Sequence, residues 1–186
     1  MRAYFHDDLP GDERLPHDTG RSVSTELLKS LGVLHWSVPV DDKGEWEEEI
    51  DTIAKDRDYK NRDIIEMSRE LLGDSYEEKL QKFLFEHMHE DEEIRYCLGG
   101  SGFFDVRDHS TESWIRIHVV KGDLMVLPAG IYHRFTLDTN DKMRTMRLFK
   151  DVPKWIAHNR SAETDANPHR VEYLKHFPSS RTTEAV

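Results

Sequence analysis

"EHMHEDEEIRY" (residues 86–96) sets two histidines one residue apart, follows them with four consecutive acids, and closes on Arg95 and Tyr96. Two readings are open: a solvated, charged sheet edge, or half of a metal site. In a strand, residues two apart point to the same side, so His87 and His89 would aim both imidazoles at one point. Glu93 and Arg95 share that parity. A single HxH in a strand is more often surface or packing, so the choice rests on what else the chain supplies.

The second half lies downstream, in "GDLMVLPAGIYH" (residues 122–133). Gly122 turns the chain, Pro128 and Gly130 make a tight bend, and His133 opens the next strand, a place from which a site can be closed. Three imidazoles and one carboxylate match the preferences of Fe(II), Ni(II), Zn(II) or Mn(II), and the mixed donor set favours iron and its neighbours. Four such ligands in an octahedron leave two positions open, which suits a ligand binding through two oxygens.

Around these residues the chain reads as short strands. "EIRYCL", "GFFDVRD", "WIRIHVV", "LMVLP", "HRFTLD" and "KMRTMRLF" are rich in aromatic and β-branched residues and are separated by "GGSG", "DHSTES", "KGD" and "AG". That pattern predicts an antiparallel barrel or sandwich. Upstream, Ala3 to His6 predicts a strand, "STELLKSLG" a helix starting at Ser24 or Thr25 and stopping at Gly32, and "VLHWSV" another strand. Between Glu45 and Leu84 the periodicity is helical, with Trp46, Ile50 and Ile53 on one face, Ile64, Ile65, Ser68, Leu71 and Leu72 on another, and Leu80, Phe83 and Leu84 on a third. The charges between them read as solvated helix faces. Tyr173, Leu174 and Phe177 predict a last docked helix, and "PSSRTTEAV" a fraying end. One domain over residues 1–178 is expected, with a barrel core at about 83–152 and a disordered tail at 179–186.

Composition limits the partners. The 186 residues carry 26 Lys plus Arg against 37 Asp plus Glu, a formal net charge of -11, which disfavours nucleic acid or an anionic lipid surface and points to a small ligand. No apolar run approaches the roughly 20 residues that span a bilayer, and "MRAYFHDDLPGDERLPHD" lacks the apolar stretch of a signal peptide. Cys97 is the single cysteine, so no internal disulfide can form and a reducing interior, cytosol or nucleus, is expected. Cys97 itself reads as a small buried hydrophobe. The eight histidines outside the two stretches, among them His6, His17 and His109, have no partner at ligand spacing and receive no role.

The combined pattern, His87-x-His89-xxx-Glu93-x6-Gly100 and Gly122-x5-Pro128-x-Gly130-xx-His133, resembles the two sequence motifs of the cupin superfamily, with Leu137 where the second motif usually ends in Asn. More narrowly, "EHMHEDEEIRYCLGGSGFFDVRD", "WIRIHVVKGDLMVLPAGIYHRFTLD" and "MRLFKDVPKW" resemble the acireductone dioxygenase family, and "YFHDDLPGDERLPH" with "LGVLHW" resembles its eukaryotic N-terminal signature. The likeness runs from Met1 to about Phe177.

The resemblance implies a mainly β fold, a cupin β-barrel (double-stranded β-helix or jelly roll) with flanking α-helices. It implies oxidation by O2 of the acireductone of methionine salvage, 1,2-dihydroxy-3-keto-5-methylthiopentene. With Fe(2+) the products would be formate and 4-methylthio-2-oxobutanoate; with Ni(2+) as the alternative metal, formate, carbon monoxide and 3-methylthiopropionate. The implied metal ligands are His87, His89, Glu93 and His133. Arg95 and Arg147 would take catalytic roles, since an enediolate dianion needs positive charge beyond the metal and arginine stays charged when buried; a surface ion pair is the plain alternative for each. Glu92, where relatives often carry Asp, would act as general base or orient a ligand histidine, or be one more solvated acid. Tyr96, Phe135 and Trp155 would contact substrate, with ordinary core the plain alternative for the last two. The cysteine usage and the absence of a signal stretch lead to the expectation of a cytoplasmic and nuclear protein, and the resemblance adds regulatory protein contacts in eukaryotic members; a monomer is expected because no long apolar edge strand is evident. Two competing readings remain: another metal-dependent cupin enzyme acting on other diols, and a catalytically silent cupin that binds a partner.

Overall fold

The computed structural model describes residues 1–152 and 156–178, so Trp155 and the expected tail at 179–186 lie outside the described residues. The chain opens with a hairpin of β1 (Arg2–His6) and β2 (Asp18–Ser22). Helix α1 (Thr25–Ser30) follows, started by Ser24, whose hydroxyl accepts the Leu27 amide at 3.2 Å. It ends before Gly32, which takes φ +81° against the Phe177 ring and the Pro128 side chain, where a Cβ would collide. Strand β3 (Leu34–Ser37) and helix α2 (Glu45–Asp56) come next.

Residues 61–68 depart from the helical expectation. They form β4 (Asn61–Ser68), and helix resumes only in α3 (Arg69–Leu72) and α4 (Tyr76–Leu84). Ile64 and Ile65, placed on one helix face by the sequence pattern, therefore point to opposite sides of a strand. The cause is tertiary: all eight residues of this strand pair antiparallel, without a break, with residues 142–149. A full ladder along a sheet edge outweighs a weak local helical period.

The barrel is built from β5 (His87–Met88), β6 (Glu93–Asp108), β7 (Ser113–Val120), β8 (Asp123–Leu127), β9 (His133–Leu137), β10 (Lys142–Phe149) and the short β11 (His158–Asn159), before α5 (Ala162–Asp165) and α6 (Pro168–His176) close the described chain. "GGSG" does not separate two strands as expected. It lies inside the sixteen-residue β6, just past Leu98, where the register with β10 shifts, and Gly100 takes φ +71° opposite Met143. A Cβ on Gly100 would strike the Lys142 carbonyl oxygen, so only glycine fits beside this bulge. The bend carries β6 from one sheet to the other. Its first half pairs with β10 and β8, its second with β9 and β7, and two sheets, β4-β10-β6-β8-β3 and β11-β5-β9-β6-β7-β1-β2, thereby curl around a shared interior.

Two apolar layers result. Between the sheets lie Cys97, Phe104, Val106, Ile115, Ile117, Met125, Leu127 and Leu137. On the outer face of the smaller sheet, Ile94, Tyr96, Leu124, Val126, Met146 and Leu148 pack beneath Ile50 and Trp46 of α2. Each fully buried aliphatic side chain here contributes roughly 1.5–3 kcal/mol. Helix α6 docks as expected through Tyr173, whose hydroxyl donates to the Leu31 carbonyl at 3.1 Å. Among the described residues no helix is long and apolar enough to cross a membrane.

Candidate metal centre

The two-residue strand β5 hydrogen-bonds to β9 with His87 directly opposite His133. The rings of His87 and His133 are 4.4 Å apart, and His89 lies 5.1 and 5.3 Å from them. Each Nδ1 faces a backbone carbonyl: His87 that of Phe85 at 2.7 Å, His89 that of Ile156 at 2.7 Å, and His133 that of Ile131 at 3.1 Å. A carbonyl only accepts, so each Nδ1 carries the donated proton, and each Nε2 is left with its lone pair. Ligand atoms of the three histidines lie within 4.8 Å of one another.

Glu93 completes the set. Its Oε2 is 2.6 Å from His133 Nε2 and 3.6 Å from His89 Nε2, while Oε1 pairs with Arg95 at 2.8 Å. Glu93 Oε2 and His133 Nε2 are both buried without a hydrogen-bond partner among the described residues. Two acceptor atoms so close repel unless a cation joins them, which is the condition a divalent ion meets. The protonation states agree. Burial, with His133 beside it, pushes the His87 imidazole down to about 3, and burial lowers His89 as well. Burial would raise the Glu93 carboxyl, but the Arg95 guanidinium beside it outweighs this and holds the group well below the usual carboxylate range. His87, His89 and Glu93 are thus held toward the deprotonated forms that bind a metal.

All four line a cavity of about 270 Å³. Strand alternation lines the rest: Met143, Thr145, Arg147 and Phe149 from β10, Ile65 and Met67 from β4, Arg95 and Phe104 from β6, Phe135 from β9, and Lys82 and Phe83 from α4. Phe135 packs 4.7 Å from Phe104 and 6.1 Å edge-on from Phe83. Arg147 stands opposite Arg95 across the ladder and is gripped by Asp63, Nε to Oδ1 at 2.8 Å and Nη2 to Oδ2 at 2.6 Å. The lining therefore combines metal-ligating donors and two arginines, each paired with a carboxylate, with a cluster of phenylalanine and methionine side chains, a match for a small polar group with a greasy tail.

Of the residues expected at the site, His87, His89, Glu93, His133, Arg95, Arg147 and Phe135 all reach this cavity. Tyr96 does not, and its expected substrate contact is corrected: it lies on the opposite face of β6, fully buried, its hydroxyl donating to the Val38 carbonyl at 3.0 Å and its ring 5.5 Å from Trp46. Strand parity puts it there, one residue beyond Arg95. Glu92 borders the cavity, but its carboxylate is engaged by Arg57 at 3.1 Å, Tyr59 at 2.9 Å and Lys150 at 3.3 Å, which leaves it a rim anchor rather than a poised base. The lining residues Met143, Thr145 and Phe149 escaped sequence reasoning although they share the parity of Arg147; Ile65, Met67 and Asp63 escaped because their strand read as helix.

With this geometry in view, the chain matches the description of the ARD/ARD′ family over residues 2–157. It is similar to acireductone dioxygenase 1 of Coprinopsis cinerea, 57% identical over 175 residues that cover 94% of this chain and 97% of that one. The acireductone dioxygenase of Neurospora crassa is 50% identical over 185 residues, covering 100% of both chains. Among solved structures, an acireductone dioxygenase from Bacillus anthracis, with a cadmium ion in its active centre, superposes with a TM-score of 0.64 at 23% identity over 84% of this chain and 96% of that one, a likeness of fold.

Proposed function

The chain belongs to the ARD/ARD′ family, and from that premise we propose that it is an acireductone dioxygenase, cleaving 1,2-dihydroxy-3-keto-5-methylthiopentene with O2. The observation that carries this reading is the convergence of three Nε2 lone pairs and an unpartnered, buried carboxylate oxygen in the wall of a largely apolar cavity. His87, His89, Glu93 and His133 would hold Fe(2+), or Ni(2+) in its place. When bound, the metal supplies Lewis acidity toward the vicinal oxygens of the substrate and the electron-transfer chemistry that O2 requires.

The chain's own residues do the rest. Arg95 and Arg147 present positive charge where the enediolate dianion sits. The Glu93–Arg95 contact at 2.8 Å fixes Arg95 beside the ligands. Phe83, Phe104, Phe135, Met67 and Met143 enclose the methylthio tail and exclude water from the reacting carbons, which strengthens each charge contact. With iron the products are formate and 4-methylthio-2-oxobutanoate; with nickel, formate, carbon monoxide and 3-methylthiopropionate. A reducing compartment such as cytosol or nucleus suits both a ferrous site and a chain whose single cysteine is unpaired.

The test is O2 consumption by metal-free protein reloaded separately with Fe(2+) and Ni(2+), on freshly generated acireductone, with products analysed. Saturable uptake, giving keto acid with one metal and carbon monoxide with the other, is expected. Uptake no faster than the uncatalysed background, with metal demonstrably bound, would overturn the substrate assignment.

A further inference from the structure

Asp63, Arg147 and Arg95 form one row across three adjacent strands, with Arg147 paired in register to Asp63 on one side and Arg95 on the other. Two guanidiniums facing one cavity repel each other, the more so where water is excluded. Each is taken by its own carboxylate: Arg95 by Glu93 at 2.8 Å, Arg147 by Asp63 through the two contacts at 2.8 and 2.6 Å. The two carboxylates differ in setting. The Glu93 side chain is 9% exposed, that of Asp63 42%. Water therefore screens the charge of Asp63, while its two-point grip still sets the plane of the guanidinium.

We propose that Asp63 is a positioning residue for the reaction: by holding the Nε–Nη2 edge of Arg147 it fixes the plane in which that guanidinium meets an anionic substrate in the cavity. Its contribution is orientation rather than charge. The two-point contact narrows the rotamers open to the guanidinium, and a contact displaced by an ångström loses much of its effect. The inference rests on the reading of the cavity as the substrate site.

The experiment compares wild type, Asp63→Ala, Asp63→Asn, Arg147→Ala and the double variant Asp63→Ala/Arg147→Ala. Asp63→Ala is expected to lower kcat/KM about tenfold at unchanged metal content, and Asp63→Asn, whose amide keeps one acceptor, by about threefold. In the Arg147→Ala background, Asp63→Ala should add nothing. Equal losses in both backgrounds would mean that Asp63 merely supports the strand pairing, and would overturn the proposal. A readout independent of turnover is the Arg147 Nε–H resonance of 15N-labelled protein loaded with Zn2+ as a diamagnetic occupant, assigned by its absence in Arg147→Ala. Exchange with water should be slow in wild type and clearly faster in Asp63→Ala; an unchanged rate would overturn the positioning role. If wild type fails to turn over acireductone, the functional reading falls, and the Nε–H measurement still decides the role of Asp63.

Discussion

Glu93 Oε2 and His133 Nε2 meet at 2.6 Å, on strands β6 and β9, without a hydrogen bond between them. Because His133 commits its Nδ1 proton to the Ile131 carbonyl, the pair is two lone pairs turned to one point. The arrangement is costly when empty and favourable around a cation, and its energetics can be tested at each atom.

His133→Ala removes one donor and the β9 side of the site. Bound metal after dialysis is expected to fall below about a tenth of the wild-type content, since even indirect disturbance of metal ligands costs 10–100-fold in affinity. Elemental analysis checks this, and full occupancy would sink the ligand assignment.

Arg147→Ala should leave metal content intact and lower kcat/KM by about 10²–10³, the loss typical of removing one charge-stabilising donor from a dry site. Arg147→Lys should recover little, because an ammonium cannot present the planar fork that Asp63 holds. Steady-state kinetics on metal-loaded protein decide it; an unchanged kcat/KM would remove Arg147 from the chemistry.

Stability of the metal-free protein should fall as pH falls. The folded state holds His87 neutral down to about 3 while the unfolded chain protonates near 6.5, so between these values the unfolded state binds more protons. The stabilisation is complete above 6.5 and is lost progressively toward 3, with a slope of up to about 1.4 kcal/mol per pH unit for this one group. Above pH 4.5, the ordinary value for Glu93, the slope belongs to histidine. Denaturant midpoints across that window should decline in wild type and decline less in His87→Gln; parallel declines would contradict it.

Gly100→Ala should destabilise the fold by about 2–4 kcal/mol, from the strain of positive φ and the collision with the Lys142 carbonyl. A shift smaller than about 1 kcal/mol in urea unfolding would show that the β6 bulge can relax.

Tyr96→Phe should leave kcat/KM within about twofold of wild type and cost about 1 kcal/mol of stability, the net worth of its hydrogen bond to Val38. Phe135→Ala, by contrast, opens the apolar lining and should raise KM. If Tyr96→Phe instead impaired turnover with stability intact, the correction of its role would be wrong.

How much of this was legible in the residues varies from strand to strand. The ligand quartet was readable because a strand's period of two puts His87 and His89 on one side and the turn residues Gly122, Pro128 and Gly130 return the chain at His133. Both are local rules, and they hold wherever the strand sits. The same period links Arg95 to Glu93 and Phe135 to His133.

Other features depended on what covers what. Ile94, Tyr96 and Leu98 are as buried as the cavity face because α2 lies over the outer side of the smaller sheet. The substrate contact expected for Tyr96 ran against the strand parity that turns it away from Arg95, and apolar character on both faces of β6 did not expose the conflict. Residues 61–68 carry too few apolar positions to choose strand over helix alone; the unbroken ladder with β10 decided, and with it Asp63 came to face Arg147. "GGSG" offers the same glycines to a hairpin turn or to a bulge, and only the close approach of Lys142 made it a bulge inside one strand. Thus the sequence determined which side chains share a side, through local backbone geometry, while the tertiary structure determined which side is the site, through pairing and coverage by segments far along the chain.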